Sequence, residues 1–426
     1  MTRLKPLSQE NLILLLLTLI NFAHVMDFMV LMPLGPQLMR LFGISPSEFG
    51  HIVSAYGISS AIAGIAASAF IDKYDRKTFL SLCLAGLIAG TLLCGLAPTA
   101  HILLIARSLA GFFGGILAGL TQSIISDVFP PERRGFAISR VMIAFSIASV
   151  LGVPLGLALA NTFGWHMPFL LVTALLLVLL LVVYFRFPNL RNHIDPRSTL
   201  GDRIRRLTQL FSDRSANFGF FATFFAVFGQ FMVIPYISPF LVKNLNFPES
   251  RLPLLYFLGG LTSIFTMPLI GKATDKFGSR KVFPIGILVS IIPLFLITHL
   301  TTQNSILILS VTTLFMICMG GRMVPFSTLL TTAVEPQKRG PFLSLNASVQ
   351  SLAQGSAAMT AAQLISEGAN KELIGYEKSG WFAFIFSLVT LVLGLQIARA
   401  GARSRQQTDL KMPSQPLPTS ESIDPS

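Results

Sequence analysis

Asp27 is the one acidic residue placed well inside a long apolar stretch, and Arg107 is embedded in another. A charge within hydrocarbon is costly and is read first as functional. At 1.5 Å per residue, Asp27 lies about 24 Å along the first predicted span and Arg107 about 30 Å from the inner end of the fourth. Both therefore sit in the same half of the bilayer. An acid held between apolar surroundings, which favour its neutral form, and a movable guanidinium, which favours its charged form, is suited to carry a proton. Protonation would release Arg107, and deprotonation would recapture it. His24 stands one helical turn before Asp27 and is placed to assist. The alternatives are a fixed ion pair for Asp27 and Arg107, and a packing role with a backbone partner for His24.

Other embedded polar groups point to binding rather than coupling. Arg322 lies in the tenth stretch, and the second half of the chain offers it no embedded acid. Gln230 occupies the position that corresponds to Asp27 in that half. Asn346, Gln350 and Gln354 recur every four residues on one face of the eleventh stretch, where a polar stripe either lines a watery cavity or bonds between helices. These five are the candidate substrate-binding residues. Two embedded arginines against one aspartate favour anionic or neutral amphipathic compounds over cations. The seventh stretch carries Phe218, Phe220, Phe221, Phe224, Phe225, Phe228 and Phe231, which either wall the cavity or face lipid.

Several chemistries are excluded. Cys83, Cys94 and Cys318 have no metal-ligand spacing and read as small apolar residues. There is no HExxH, no pair of embedded carboxylates and no phosphate-binding Gly-x-x-x-x-Gly-Lys-(Ser/Thr). The chain is expected not to be an enzyme, to need no cofactor or metal, and to draw its energy from a proton gradient.

The elements that must hold these residues follow from composition. Of 426 residues, 52% are hydrophobic and 12% charged, against about 25% charged in a soluble domain. A helical span needs roughly 20 apolar residues. Twelve stretches qualify: 11–33, 48–71, 78–97, 101–127, 136–160, 165–186, 217–241, 252–273, 282–299, 304–333, 341–366 and 379–399. The expected fold is an all-α membrane protein of twelve transmembrane helices in two pseudo-symmetric six-helix bundles. The net charge of +13 does not mark a nucleic-acid binder, because it is sorted by side. Arg40, Lys243, Arg251, Lys371 and Lys378 fall on one face, Arg107 and Arg322 lie within spans, and the rest of the 32 Lys and Arg fall on the other. That bias places both termini in the cytoplasm. Trp165 and Trp381 open the sixth and twelfth spans at the opposite interface, where Trp is favoured. Arg3, Lys5 and the following leucines imitate a signal peptide, but the apolar run continues to Met32 without a small-residue cleavage site and reads as a retained first span.

Residues 1–190 and 217–400 are the expected bundles. The basic connection 191–216 joins them, with Ile204, Leu207 and Phe211 at helical spacing among arginines, which suits either an amphipathic helix on an anionic leaflet or a disordered basic linker. A disordered tail is expected over 401–426. The halves repeat: Asp72-Lys-Tyr-Asp-Arg76-Lys77 after the second span matches Asp275-Lys-Phe-Gly278-Ser-Arg280-Lys281 after the eighth, and Pro131-Glu-Arg-Arg-Gly135 matches Pro336-Gln-Lys-Arg-Gly340. Repeats with an even number of spans are related by an axis along the membrane normal, with the site between them.

On these motifs the chain resembles the major facilitator superfamily. Gly271, Asp275, Lys276, Gly278, Arg280 and Lys281 fill its loop signature. The first-half copy departs from it, with Ser68 and Asp75 at the two glycine positions. Arg76 has a candidate partner in Asp127, while the second half has Ser279 and Thr332 at the matching places. A first-half latch is expected, one that breaks when the cytoplasmic side opens, with Asp72 capping a neighbouring helix. Arg107-Ser-Leu-Ala-Gly111-x-x-Gly114-Gly115 resembles the family's fourth-span motif, and Gly111, Gly115 and Gly119 form a small-residue ridge for helix packing. Gly152-Val-Pro154-Leu-Gly156 resembles the antiporter motif of the drug:proton antiporters, and Gly164-Trp165-His166-x-Pro-Phe169 resembles the opening of their sixth span. The resemblance implies a monomeric, proton-coupled exporter of small molecules working by alternating access in the cytoplasmic membrane. An uptake symporter or facilitator for a sugar, organic anion or lysolipid is the alternative.

Overall fold

A computed structural model describes residues 9–191, 194, 201, 211–334 and 339–411. Ile204 and Leu207 of the basic connection, Pro336 to Lys338 of the repeated loop, and residues 412–426 lie outside the described residues.

The first half consists of α1 (Gln9–Val30), α2 (Gly35–Phe42), α3 (Pro46–Phe70), α4 (Arg76–Leu96), α5 (Ala100–Val128), α6 (Pro131–Ile147), α7 (Val153–Phe163) and α8 (Met167–Arg186). The second consists of α9 (Arg214–Phe231), α10 (Ile237–Leu245), α11 (Leu252–Phe277), α12 (Ser279–Thr298), α13 (Ser305–Ala333), α14 (Arg339–Leu364) and α15 (Tyr376–Lys411). A hairpin pairs Ser366–Glu367 with Leu373–Ile374. Among the described residues, eleven of the spans are long and apolar enough by composition to cross a membrane. The remaining span, α14, the eleventh in chain order, is 26 residues long but carries the polar stripe. It packs between α3 and α9. α15 runs on as helix to Lys411, so the segment expected to be a disordered tail from 401 begins as an extension of the last span.

Three spans are interrupted, each beside proline. The first breaks between α1 and α2, flanked by Pro33 and Pro36, and the seventh breaks between α9 and α10 at Pro235. The fifth carries a π-helical turn, Ala148–Gly152, directly before Pro154. Proline withholds one amide donor from the helical ladder, and a wider turn absorbs the defect. Gly156 lies at this bend because a Cβ there would sit 2.9 Å from Val30 Cγ2. The antiporter-like motif thus presses the fifth span onto the first.

The repeated loops differ in a way the backbone explains. Gly278 joins α11 to α12 at φ 83°, a left-handed conformation that glycine adopts without penalty. Its first-half counterpart, Asp75, has φ −55° and instead caps α4, accepting from the amides of Lys77 (2.9 Å) and Thr78 (3.2 Å). The expected cap is therefore made by Asp75, while Asp72 turns to Arg76 at 2.8 Å. Arg76 also reaches Asp127 at 2.7 Å and the carbonyl of Ile71 at 2.5 Å. The contact forms as expected, but all its members lie in α4, α5 and the turn between α3 and α4. It braces three spans of one bundle, and opening between the bundles does not require it to break. In the second-half loop, Asp275 and Arg280 are exposed, and open space surrounds Gly271.

Arg76 is 2% exposed, so its two carboxylates differ in weight. Asp127→Asn should lower unfolding stability toward the lower end of the roughly 3–5 kcal/mol seen when a buried pair is broken. Asp72→Asn removes a half-exposed partner and should cost under about 1 kcal/mol. Thermal melts of the purified variants in detergent measure both, and equal losses would contradict this division.

Candidate functional site

Asp27 and Arg107 meet inside the first bundle, as their depths suggested. Arg107 Nη1 donates to Asp27 Oδ2 at 3.2 Å and to the Asp27 carbonyl at 3.1 Å. The two side chains are 0% and 1% exposed. Thr91 and Cys94 of α4 stand next to the pair. Asp27 Oδ1 and Arg107 Nε have no hydrogen-bond partner among the described residues. The arrangement is thus an ion pair without a full set of hydrogen bonds, closed to water in this conformation.

One residue that the spacing did not single out covers the pair. The Tyr56 ring on α3 lies 4.3 Å from the Arg107 guanidinium carbon, and its hydroxyl is hydrogen-bonded to His24 Nδ1 at 2.9 Å. His24 is half-buried, whereas Tyr56 is 3% exposed. Gly114 makes room for this contact: a Cβ there would lie 2.5 Å from the tyrosine hydroxyl and 2.8 Å from His24 Cε1. The fourth-span glycines are thus steric allowances for Tyr56 as well as a packing ridge.

The polar stripe of α14 faces the middle of the molecule. Leu352 and Met359 are exposed at 40% and 36% and mark the outward side of the helix. At 3.6 residues per turn, Gln350 and Gln354 project roughly opposite to them. Ser351 and Gly355 lie against α3, and Phe342 stacks on Phe220 of α9. The two glutamines occupy the arc between those faces, half-buried. Asn346 is fully buried, and its Oδ1 has no partner among the described residues. Gln230 is half-buried. Arg322 does not share that wall. Its Nη1 donates to Ser387 at 3.1 Å and Ser290 at 3.4 Å, its Nη2 to the Ala226 carbonyl at 3.1 Å, and it is 2% exposed. It ties α13 to α9, α12 and α15 within its own bundle. Of the seventh-span phenylalanines, Phe221 is exposed, Phe225 packs on Phe386, and Phe231 meets Phe28 of the first bundle at 5.9 Å.

The bundles meet along two seams. α3 and α14 touch over most of their length, and a Cβ on Gly57 would lie 2.6 Å from the Gly355 amide nitrogen. Ser60 donates to Ser351 at 3.1 Å. On the other seam α11 packs on α7 and on the π turn, where Gly260 meets Val150, and it barely touches α6. Beyond that point α6 buries little except the Ala137, Val141 and Ala144 side that meets α1. The sparsely basic face is closed by a bidentate Arg40–Glu249 pair between the bundles, by Asn161 donating to the Glu249 carbonyl at 3.4 Å, and by the Tyr236 hydroxyl donating to the Pro46 carbonyl at 2.9 Å. The carboxylate of Glu249 holds the Arg40 guanidinium further toward its charged form. A cleft of about 540 Å³ lined by Gln37, Arg40, Asn161, Trp165 and Glu249 remains above this closure. The bundles are therefore shut on that face and part toward the basic one between α6 and α11.

Two bundles of six spans that meet along two seams have the architecture of a secondary transporter, and the sequence comparison gives the same class. The family described as Major Facilitator Superfamily matches residues 17–216 and 219–419, and the chain belongs to it. It is 24% identical over 321 residues to the uncharacterized MFS-type transporter YbcL of Bacillus subtilis, covering 74% of this chain and 79% of that one. It is likewise 24% identical over 274 residues to a protein of Pasteurella multocida named as a probable sugar efflux transporter, covering 64% and 66%. Among solved structures, that of a D-xylose–proton symporter superposes with a TM-score of 0.71 over 89% of this chain and 96% of its own, at 19% identity, a likeness of fold. The protein is a multi-pass membrane transporter of this superfamily and not an enzyme.

Arg40 is largely exposed, at 64% for its side chain, so its pair with Glu249 contributes no more than about 1 kcal/mol. Glu249→Gln should therefore raise the open population of this face by up to about fivefold without unfolding the protein. Spin labels at Leu41 and Gln303, read by pulsed dipolar spectroscopy, should show a growing long-distance component. An unchanged distance distribution would remove the pair as a closure element.

Proposed function

We propose that the protein exports small amphipathic compounds from the cytoplasm in exchange for protons. The observation that carries the reading is the sealed Asp27–Arg107 pair. A lone embedded carboxylate whose charge is balanced by one arginine can exist in two states, bound to Arg107 when ionised or free of it when protonated. Protonation neutralises the carboxylate and leaves Arg107 as the charge that must be held by the Tyr56 ring face and by water admitted as the bundles move, so the two states call for different surroundings of the guanidinium. The excess of Lys and Arg on one face orients that face toward the cytoplasm in a cytoplasmic membrane, with both termini there. The state described above then opens inward. Substrate would enter between α6 and α11 and meet the amides of Gln350, Gln354 and Gln230, with Asn346 behind them. Arg322 acts on the substrate only through its field in this state, unless the second bundle rearranges around it. The bend at Gly152, Pro154 and Gly156 lies where α1 and α11 both touch the fifth span, so movement of α11 reaches the span that carries Asp27. The working unit is one chain in lipid, with a small-molecule substrate and no cofactor.

A second reading has its own support. Primary amides offer paired donors and acceptors that suit hydroxyl-rich ligands, and one relative is named for sugar efflux while one structural neighbour is a sugar–proton symporter. A sugar is therefore the competing substrate class, moved in either direction.

Inverted membrane vesicles separate these readings. Export predicts that an interior-acid gradient drives accumulation of amphipathic anionic or neutral dyes. Uptake symport predicts sugar accumulation under the opposite gradient. In Asp27→Asn, gradient-driven accumulation should fall at least about tenfold, the effect of losing ~1.4 kcal/mol from the coupled step, while binding is largely kept. Full concentrative transport by this variant would remove Asp27 as the proton carrier.

A further inference from the structure

We propose that Tyr56 is the positioning residue that holds Arg107 on Asp27 and links that pair to the contact between the two bundles. This rests on the reading of Asp27 as the proton carrier and names the part that makes its proton affinity depend on conformation.

The geometry is a clamp with two jaws. On one side, the Tyr56 ring lies against the guanidinium at 4.3 Å, so the negative face of the ring and the Asp27 carboxylate both attract Arg107. On the other side, the hydroxyl is anchored to His24 Nδ1 at 2.9 Å, which fixes the ring's orientation. His24 and Asp27 belong to α1, Tyr56 to α3 and Arg107 to α5, so the clamp closes a triangle of three spans. Cys94 of α4 is the other titratable group beside the pair. Gly114 leaves a gap that no larger residue could occupy without displacing both the hydroxyl and the imidazole.

The link to the second bundle is aromatic. Phe28, next to Asp27 in sequence, packs on the Tyr56 ring at 5.2 Å and on Phe231 of α9 at 5.9 Å. Phe231 is the last residue of α9, just before the break in the seventh span. Rocking of the bundles therefore moves Phe231 against Phe28 and loads the ring that steadies Arg107. With the clamp closed, the ionised carboxylate keeps its guanidinium. With the clamp loosened, Arg107 is less well held, the carboxylate loses part of that stabilisation, and its proton affinity rises.

The experiment reads the carboxyl group itself and uses the proton as ligand. Purified full-length protein in lipid nanodiscs is titrated with acid and base while the infrared C=O band that disappears in Asp27→Asn is followed. Tyr56→Leu keeps the site apolar but removes the ring, and should raise the midpoint by about one pH unit, a tenfold gain in proton affinity. Tyr56→Phe and His24→Ala each remove the same anchoring hydrogen bond and should give smaller upward shifts. Their combination should shift no further than either alone, as for two ends of one contact. If Tyr56→Leu fails to fold, the other three variants still decide the matter. Wild-type midpoints in Tyr56→Phe and His24→Ala, with a shift in Arg107→Ala, would overturn the clamp and leave Asp27 as the carrier. An Asp27 band that does not titrate in the wild type would sink the carrier reading and the clamp together.

Discussion

The structure depends on the cost of a charge in a medium that cannot solvate it. Asp27 and Arg107 lie at 0% and 1% exposure, and neither would be tolerated there alone. Their attraction recovers part of the desolvation cost, and the Tyr56 ring adds to it from the other side of the guanidinium. Arg322 meets the same cost differently. It has no carboxylate within ion-pair distance among the described residues and spreads its charge over two hydroxyls and a carbonyl. The first bundle therefore holds its cation against a carboxylate, and the second holds a cation among neutral partners. Two halves that share a fold meet the same cost with different partners.

The same cost organises the periphery. Arg76 is buried where three spans converge and is satisfied by two carboxylates and a carbonyl, which makes the inner end of the first bundle rigid. Arg40 and Glu249 make a comparable pair at the opposite face, but an exposed one that joins different bundles. Buried pairs brace what moves as a unit. The exposed pair spans the gap that must open and close.

Much of this was legible in the sequence because it follows from period and depth. Twelve spans and the partnership of Asp27 with Arg107 come from counting residues along helices, while the two repeats and the partnership of Arg76 with Asp127 come from matching the loops of the two halves and from the family resemblance. What was not legible is rotation. Depth alone places Arg322 beside the cavity, but its helix turns the side chain toward α9, α12 and α15. Tyr56 was missed for a related reason: a tyrosine within a span resembles any packing aromatic until the neighbouring helix brings Gly114 and Arg107 against it. The capping role expected of Asp72 passed to Asp75 because the first-half loop lacks the glycine that gives Gly278 its left-handed turn.

The polarity of α14 has a consequence for how the protein is made. This helix is too rich in amide and hydroxyl groups to reach the apolarity of the other spans, and its small residues are fitted to α3 along one face. A segment of that kind partitions poorly into lipid by itself. Its partners α3 and α9 precede it in the chain and are already synthesised when it emerges from the ribosome. Insertion of α14 therefore draws on one helix from each bundle already in place, and the two halves, although repeats of one another, are not interchangeable in the order in which they enter the bilayer.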